Sequence, residues 1–345
     1  MDQDSKTSIL IIYTGGTIGM IKDKETGILL PFDFELITDH IPELQHFEFN
    51  IECANFEPIV DSSNMSPELW TKLARMIEVH YAEYDGFVIL HGSDTMSYTA
   101  SALSYMLENL NKPVILTGSQ LPIGVNRTDG KENLITSLEI AAARDNDTPV
   151  VPEVCIYFEY QLYRGNRTHK FNAENFEAFR SVNYPILAEA GIYIKYNHIY
   201  IQKPNFKNLK THLKLDTSVA VLKLFPGINR KLVEAVLHVD GLKGLVLETY
   251  GTGNTHTDEW FIEVLKEAID KGIIIMNVTQ CKGGSVEIGK YQTSVKLGTI
   301  GVLSGDDITT EAAITKMMFL FGLGISKNQV LERLQKPLRG EMTVI

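Results

Sequence analysis

The chain has 345 residues, 44% of them apolar and 22% charged, the balance of an ordinary globular protein with core enough for two or three domains. Its 32 basic and 43 acidic side chains leave a net charge of −11, which argues against nucleic acid or an anionic membrane as main partner. Three far-spaced cysteines without a CxxC pair predict a reducing compartment, and the lack of HExxH, Cys/His or EF-hand spacing predicts no metal.

In chain order, the polar, acidic start MDQDSKTS leads directly into a strand-like run. Neither an export signal nor a membrane span is therefore expected, and no apolar stretch approaches ~20 residues. Residues 9–12 (ILII) read as a buried strand that empties into YTGGTIG. The following stretch, 21–34, has no helical period and contains Gly27 and Pro31, so it reads as a mobile loop over a pocket. Another segment closes in VDSSNM at 60–65, and 66–81 carries apolar residues at helical spacing. A strand at 87–90 exits into HGSDT, with a helix predicted over 99–107. Further strands at 114–116 and 154–158 lead into TGSQ and YRGNRTHK. The second half repeats the alternation, with strands at 219–224, 245–247, 273–278 and 300–303 and a helix at 259–271 ended by Gly272. Such alternation predicts an α/β fold with mostly parallel sheets. The Lys- and Asn-rich segment 196–217 reads as a linker between a larger N-terminal α/β domain, 1–195, and a smaller Rossmann-like α/β domain, 218–345.

In an open parallel sheet the carboxyl ends of the strands share one edge, and ligands bind there. Five strand exits carrying hydroxyls, glycines, Asp61, Asp94 and Lys170 are therefore expected around one crevice. TGGTIG is not GxGxxG and no helix follows it, so a nucleotide site would rest on backbone N–H groups alone. A Thr or Ser hydroxyl becomes a nucleophile when a neighbouring base takes its proton, and a desolvated lysine can be that base. An aspartate can orient the lysine, and N–H groups of glycine turns can hold an oxyanion. Together these groups suit acyl transfer from an amide. Each has a plainer alternative: Ser93 or Asp94 as a helix cap, Lys170 as a surface cation beside Arg164 and Arg167, His91 and His169 as structural residues.

The segments YTGGTIGM, VDSSNM, FVILHGSDTMSYTASALSYMLENL, KPVILTGSQ, LYRGNRTHK, YGTGN, NVTQC and LRGEMT resemble the cytoplasmic (type I) bacterial L-asparaginases. The resemblance runs from Tyr13 to Thr343. It implies hydrolysis of L-asparagine to L-aspartate and ammonia through a threonine acyl-enzyme, without cofactor, by a cytoplasmic homotetramer of intimate dimers. Carried over by motif, Thr17 is the nucleophile, and Ser93, Asp94 and Lys170 form the group that activates it and, later, water. Asp61, Ser62 and Ser63 resemble residues that grip the substrate's α-amino and α-carboxylate groups. Asn254 resembles a residue that reaches the site from a neighbouring subunit.

Three departures stand out. Ser93 replaces the usual threonine, and no tyrosine lies between Ile18 and Pro31, where many members carry one in the lid. Tyr291, in a stretch from which related cytosolic enzymes supply a tyrosine, is the substitute the sequence offers. Glu248 stands where some members bind an activating second asparagine through arginine, which argues against that regulation. The competing readings are a glutamine-directed amidohydrolase, including the archaeal subunit that generates ammonia for tRNA amidation, and a binding protein that keeps the pocket without turnover.

Overall fold

The computed structural model describes residues 6–22, 29–31, 41–287 and 292–343. The chain divides into two compact units, Met1–Leu213 and Lys214–Ile345.

The first unit is built on one eight-stranded sheet. Its strands are β1 (Ser8–Tyr13), β2 (Asn50–Asn55), β3 (Gly86–Leu90), β4 (Val114–Thr117), β5 (Val154–Phe158), β6 (Gln161–Arg164), β7 (Ala188–Ala190) and β8 (Ile194–Tyr196). Their order is β8-β7-β6-β5-β4-β3-β1-β2. β2, β1, β3, β4 and β5 run parallel, and β6, β7 and β8 each pair antiparallel with the strand before. β3, β4 and β5 are buried at every residue, as central parallel strands covered on both faces must be, which is why they read as unbroken apolar runs. The covering helices include α1 (Pro67–His80), α2 (Met96–Met106) and α3 (Gly130–Ala142). α1 starts at Pro67, where a missing N–H costs nothing, and buries Trp70, Leu73, Ala74 and Ile77 on one stripe.

The 2-1-3-4-5 order of the parallel strands puts the switch point between β1 and β3. The crevice outside their carboxyl ends is where this topology receives a ligand.

Three sequence expectations need correction. The fifth exit is not one: after β5 the chain turns back at Glu159 and Tyr160 (φ 48° and 66°) into antiparallel β6. That hairpin turn uses two left-handed non-glycine residues, so the usual glycine signal is missing. Lys170 thus arrives in a short pair, His169–Lys170 against Phe179–Arg180. Second, residues 20–22 and 29–31 pair antiparallel inside the stretch read as irregular; residues 23–28 and 32–40 lie outside the described set. Third, 300–303 is mostly not strand: helix runs to Ile300, and only Leu303–Ser304 pairs.

The second unit holds a four-stranded parallel sheet of β9 (Val219–Lys223), β10 (Gly244–Thr249), β11 (Ile274–Thr279) and β12 (Leu303–Ser304), in that order. Helices α4 (Arg230–Leu237) and α5 (Glu259–Asp270) contribute Val233, Leu237, Phe261 and Leu265 to its core. Gly272, at φ +106°, ends α5 as the sequence indicates. Helices α6 (Gln292–Ile300), α7 (Thr310–Gly322) and α8 (Lys327–Leu334) complete it.

Candidate active site

The parallel strand exits meet because glycine lets their backbones touch. Gly16, at φ +93°, would place a Cβ 2.6 Å from the Cα of Gly92, a separation no side chain tolerates, so β1 and β3 exit in direct contact. Gly92 in turn faces Ser62, whose Oγ lies 2.5 Å from where a Cβ would stand. Thr17, Ser62 and Ser93, each one residue from a contact or in it, are thereby gathered around one point on three loops.

Each loop is pinned locally. Thr17 opens the single 3-10 turn Thr17–Gly19, whose far end is held by the Tyr13 hydroxyl donating to the Gly19 carbonyl at 3.0 Å. Burial pushes the Tyr13 phenol up to about 12, so it stays a neutral donor. Thr14 donates its hydroxyl to the Leu90 carbonyl at 2.9 Å, tying β1 to β3 again. Thr95 donates to the Ser62 carbonyl at 2.7 Å. Asp61 caps the turn Ser62–Asn64 by accepting the Ser63 N–H at 2.8 Å. That backbone bond, with help from the Ser63 hydroxyl, holds the Asp61 carboxyl below its ordinary value, leaving an exposed carboxylate suited to an ammonium group.

Ser93, Asp94 and Lys170 form one bonded group. The Lys170 ammonium donates to Ser93 Oγ at 2.8 Å and to Asp94 Oδ1 at 2.7 Å. Its side chain is 19% exposed, which sets it apart from a solvated surface lysine. The capping alternative also fails: neither the 3-10 turn Ser93–Thr95 nor α2 receives a side-chain cap. Lys170 thus has a hydroxyl partner on one side and a carboxylate on the other.

His91 is structural. It is fully buried, and burial pushes its imidazole down to about 4. A chain of donors assigns its tautomer: Trp70 Nε1–H donates to Thr99 Oγ1 (2.9 Å), Thr99 donates to His91 Nε2 (2.9 Å), and Nδ1–H donates to the Gly92 carbonyl (2.7 Å). The ring thus steadies the residue before Ser93 while staying neutral. An unfolded imidazole titrates near 6.5, so this burial destabilises the fold as pH falls from about 6.5, and the loss levels off below about 4 at roughly 3 kcal/mol. Denaturant titrations between pH 7 and 4 check this: His91→Gln should lack that component of the wild-type loss, and equal slopes would contradict it.

Asn254 lies in the second unit, in the turn closed by the Tyr250–Asn254 bridge after β10. Tyr291 and most of the expected lid fall outside the described residues. Among the described residues, no group of three His, Cys, Asp or Glu is placed to hold a metal. Sequence reasoning missed the supporting parts: Tyr13, Thr95, the Trp70–Thr99–His91 chain and the side chain of Gln120. Tyr13, Thr95 and Gln120 carried a signal, their places at the exits of β1, β3 and β4.

Comparison with known proteins bears on what this arrangement serves. The family model "Asparaginase, N-terminal" matches residues 8–202, and "Glutaminase/Asparaginase C-terminal domain" matches 218–334. The chain is 42% identical over 339 residues to L-asparaginase 1 of Escherichia coli, covering 98% of each. It is similar in structure to L-asparaginase I from Vibrio cholerae, with a TM-score of 0.89 at 38% identity, over 98% of this chain and 100% of that one. A thermostable L-asparaginase from Thermococcus kodakarensis superimposes with a TM-score of 0.90 at 30% identity, again over 98% of this chain and 100% of that one.

Proposed function

The chain belongs to the asparaginase family, and from that premise we infer that it hydrolyses L-asparagine to L-aspartate and ammonia. The observation that carries the chemistry is Lys170 Nζ held by Ser93 and Asp94 beside the Gly16–Gly92 contact.

In this reading the side-chain amide lies in the crevice at the β1/β3 switch point. Asp61 takes the α-ammonium, and Ser62 and Ser63 serve the α-carboxylate. Thr17 Oγ attacks the amide carbon while its proton passes by way of the Ser93 hydroxyl to Lys170 Nζ, acting as the neutral amine, and Asp94 keeps the lysine oriented. Backbone N–H groups of the glycine turns face the developing oxyanion. The Ser93–Asp94–Lys170 group hands that proton to the amide nitrogen, which departs as ammonia and leaves an aspartyl ester on Thr17. The same group then draws a proton from water, which attacks the ester, and returns it to Thr17 Oγ as aspartate is freed. The glutamine-directed alternative is not favoured, since the full-length likeness is to L-asparaginases. A pocket without turnover has no support either, because Thr17, Ser93, Asp94 and Lys170 are all present.

The finer reading is a cytoplasmic homotetramer in which Asn254 completes a neighbour's site. Dilution to monomers, followed by sedimentation with parallel assays, should then abolish activity; a fully active monomer contradicts it. Among the described residues no helix is long and apolar enough to cross a membrane. The functional reading itself is tested by ammonia release from L-asparagine, L-glutamine and D-asparagine. L-Asparagine should be turned over fastest, and a preference for L-glutamine would overturn the assignment.

A further inference from the structure

The exit of β4 carries a side chain to which the mechanism above gives no task. Gln120 Oε1 accepts the Ser93 hydroxyl at 3.3 Å. Its amide nitrogen donates to the carbonyls of Ala173 at 3.2 Å and Asn175 at 3.0 Å, on the segment that follows Lys170. Its backbone N–H, and that of Leu121, are taken by the Asp129 carboxylate at 2.9–3.1 Å, so the residue is anchored from both ends. The amide orientation follows from its partners: flipped, its oxygen would face two carbonyls and its nitrogen would lose both acceptors.

Serine at position 93 makes this contact consequential. A threonine's γ-methyl restricts χ1, whereas serine has three open wells. The Lys170 ammonium already donates to Ser93 Oγ, so the hydroxyl's own proton must find an acceptor elsewhere, and Gln120 Oε1 takes it. One side chain therefore touches both sides of the activating group, the Ser93 hydroxyl directly and the segment after Lys170 through the carbonyls of Ala173 and Asn175.

We propose that Gln120 is a positioning residue that fixes the Ser93 rotamer for catalysis, doing here what a β-branched residue at position 93 would do by itself. The inference rests on the asparaginase reading above. It is tested in the whole chain by Gln120→Met, which keeps length and loses both kinds of hydrogen bond, made in the native and in the Ser93→Thr backgrounds. With Ser93 present, kcat for L-asparagine should fall roughly tenfold with KM within about twofold; with Thr at 93 the same change should cost less than about threefold. Equal losses in both backgrounds, an unchanged kcat, or a change in KM alone would overturn the proposal, because a purely structural role adds equally to either background. If circular dichroism shows Gln120→Met unfolded, Gln120→Asn, one methylene too short to reach Ser93, carries the same comparison with the same outcomes. A parental chain that releases no ammonia from L-asparagine overturns the functional reading and this inference together. Parental turnover with equal losses overturns this inference alone.

Discussion

Thr17→Val and Lys170→Met should each lower kcat for L-asparagine by roughly 10³-fold or more, and the double variant should be little worse than either. Groups that act as a unit fail together. Thr17 without a base is a neutral hydroxyl, and Lys170 without a nucleophile has no proton to take. Valine is near in shape to threonine and removes only the reacting oxygen, so the 3-10 turn clamped by Tyr13 should survive. Methionine keeps most of the stem of Lys170 and removes the ammonium shared by Ser93 and Asp94. Steady-state kinetics with circular dichroism on the same preparations check this. A kcat within about tenfold of wild type for either single variant would remove that residue from the assigned role.

The second large effect is on stability and lies in the second unit. Lys316 of α7 and Glu341 are both fully buried, their charged atoms 2.7 Å apart. The ammonium also donates to the carbonyls of Leu334 at 3.0 Å and Lys336 at 2.7 Å. The carboxylate accepts the backbone N–H groups of Leu338 and Arg339 at 2.7–3.0 Å. Burial lowers the Lys316 pKa, and the Glu341 carboxylate opposes that shift. The pair fastens the LRGEMT segment to the helix. Removing one partner leaves the other as an uncompensated buried charge, so Lys316→Met should destabilise the unit by about 3–5 kcal/mol. The double change Lys316→Met with Glu341→Leu should cost less than Lys316→Met alone. Denaturant melts of the whole chain check both, and a single-variant loss below about 1 kcal/mol would contradict the account.

What could be read in the sequence, and what could not, follows from how each feature is encoded. The β3, β4 and β5 strands were legible because a strand buried on both faces must be apolar throughout. Their exits were legible because polar residues and glycines crowd where apolar runs stop. β2 was not: NIECAN alternates in burial at an edge of the sheet, so no apolar run marks it. The hairpin at Glu159–Tyr160 was hidden because it uses residues that rarely adopt left-handed backbone. Its effect was to misplace the route by which Lys170 arrives, though not its partners. Contacts such as Gly16 against Gly92, and His91 bonded through Thr99 to Trp70, join residues 8 to 76 positions apart. Nothing local in the chain announces them. Gln120 is likewise far in sequence from its partners, 27 positions from Ser93 and 55 from Asn175, so its role emerges only when three loops are seen together.

The two-step route through an acyl-enzyme is tested most directly by partitioning between water and hydroxylamine. L-Asparagine and the β-methyl ester of L-aspartate would be turned over separately at one hydroxylamine concentration, and the ratio of aspartate β-hydroxamate to aspartate measured for each. An ester on Thr17 is common to both substrates and has lost its leaving group, so the two ratios should be equal. Ratios that differ with the leaving group, or no hydroxamate from either substrate, would contradict the acyl-enzyme and with it the role given to Thr17.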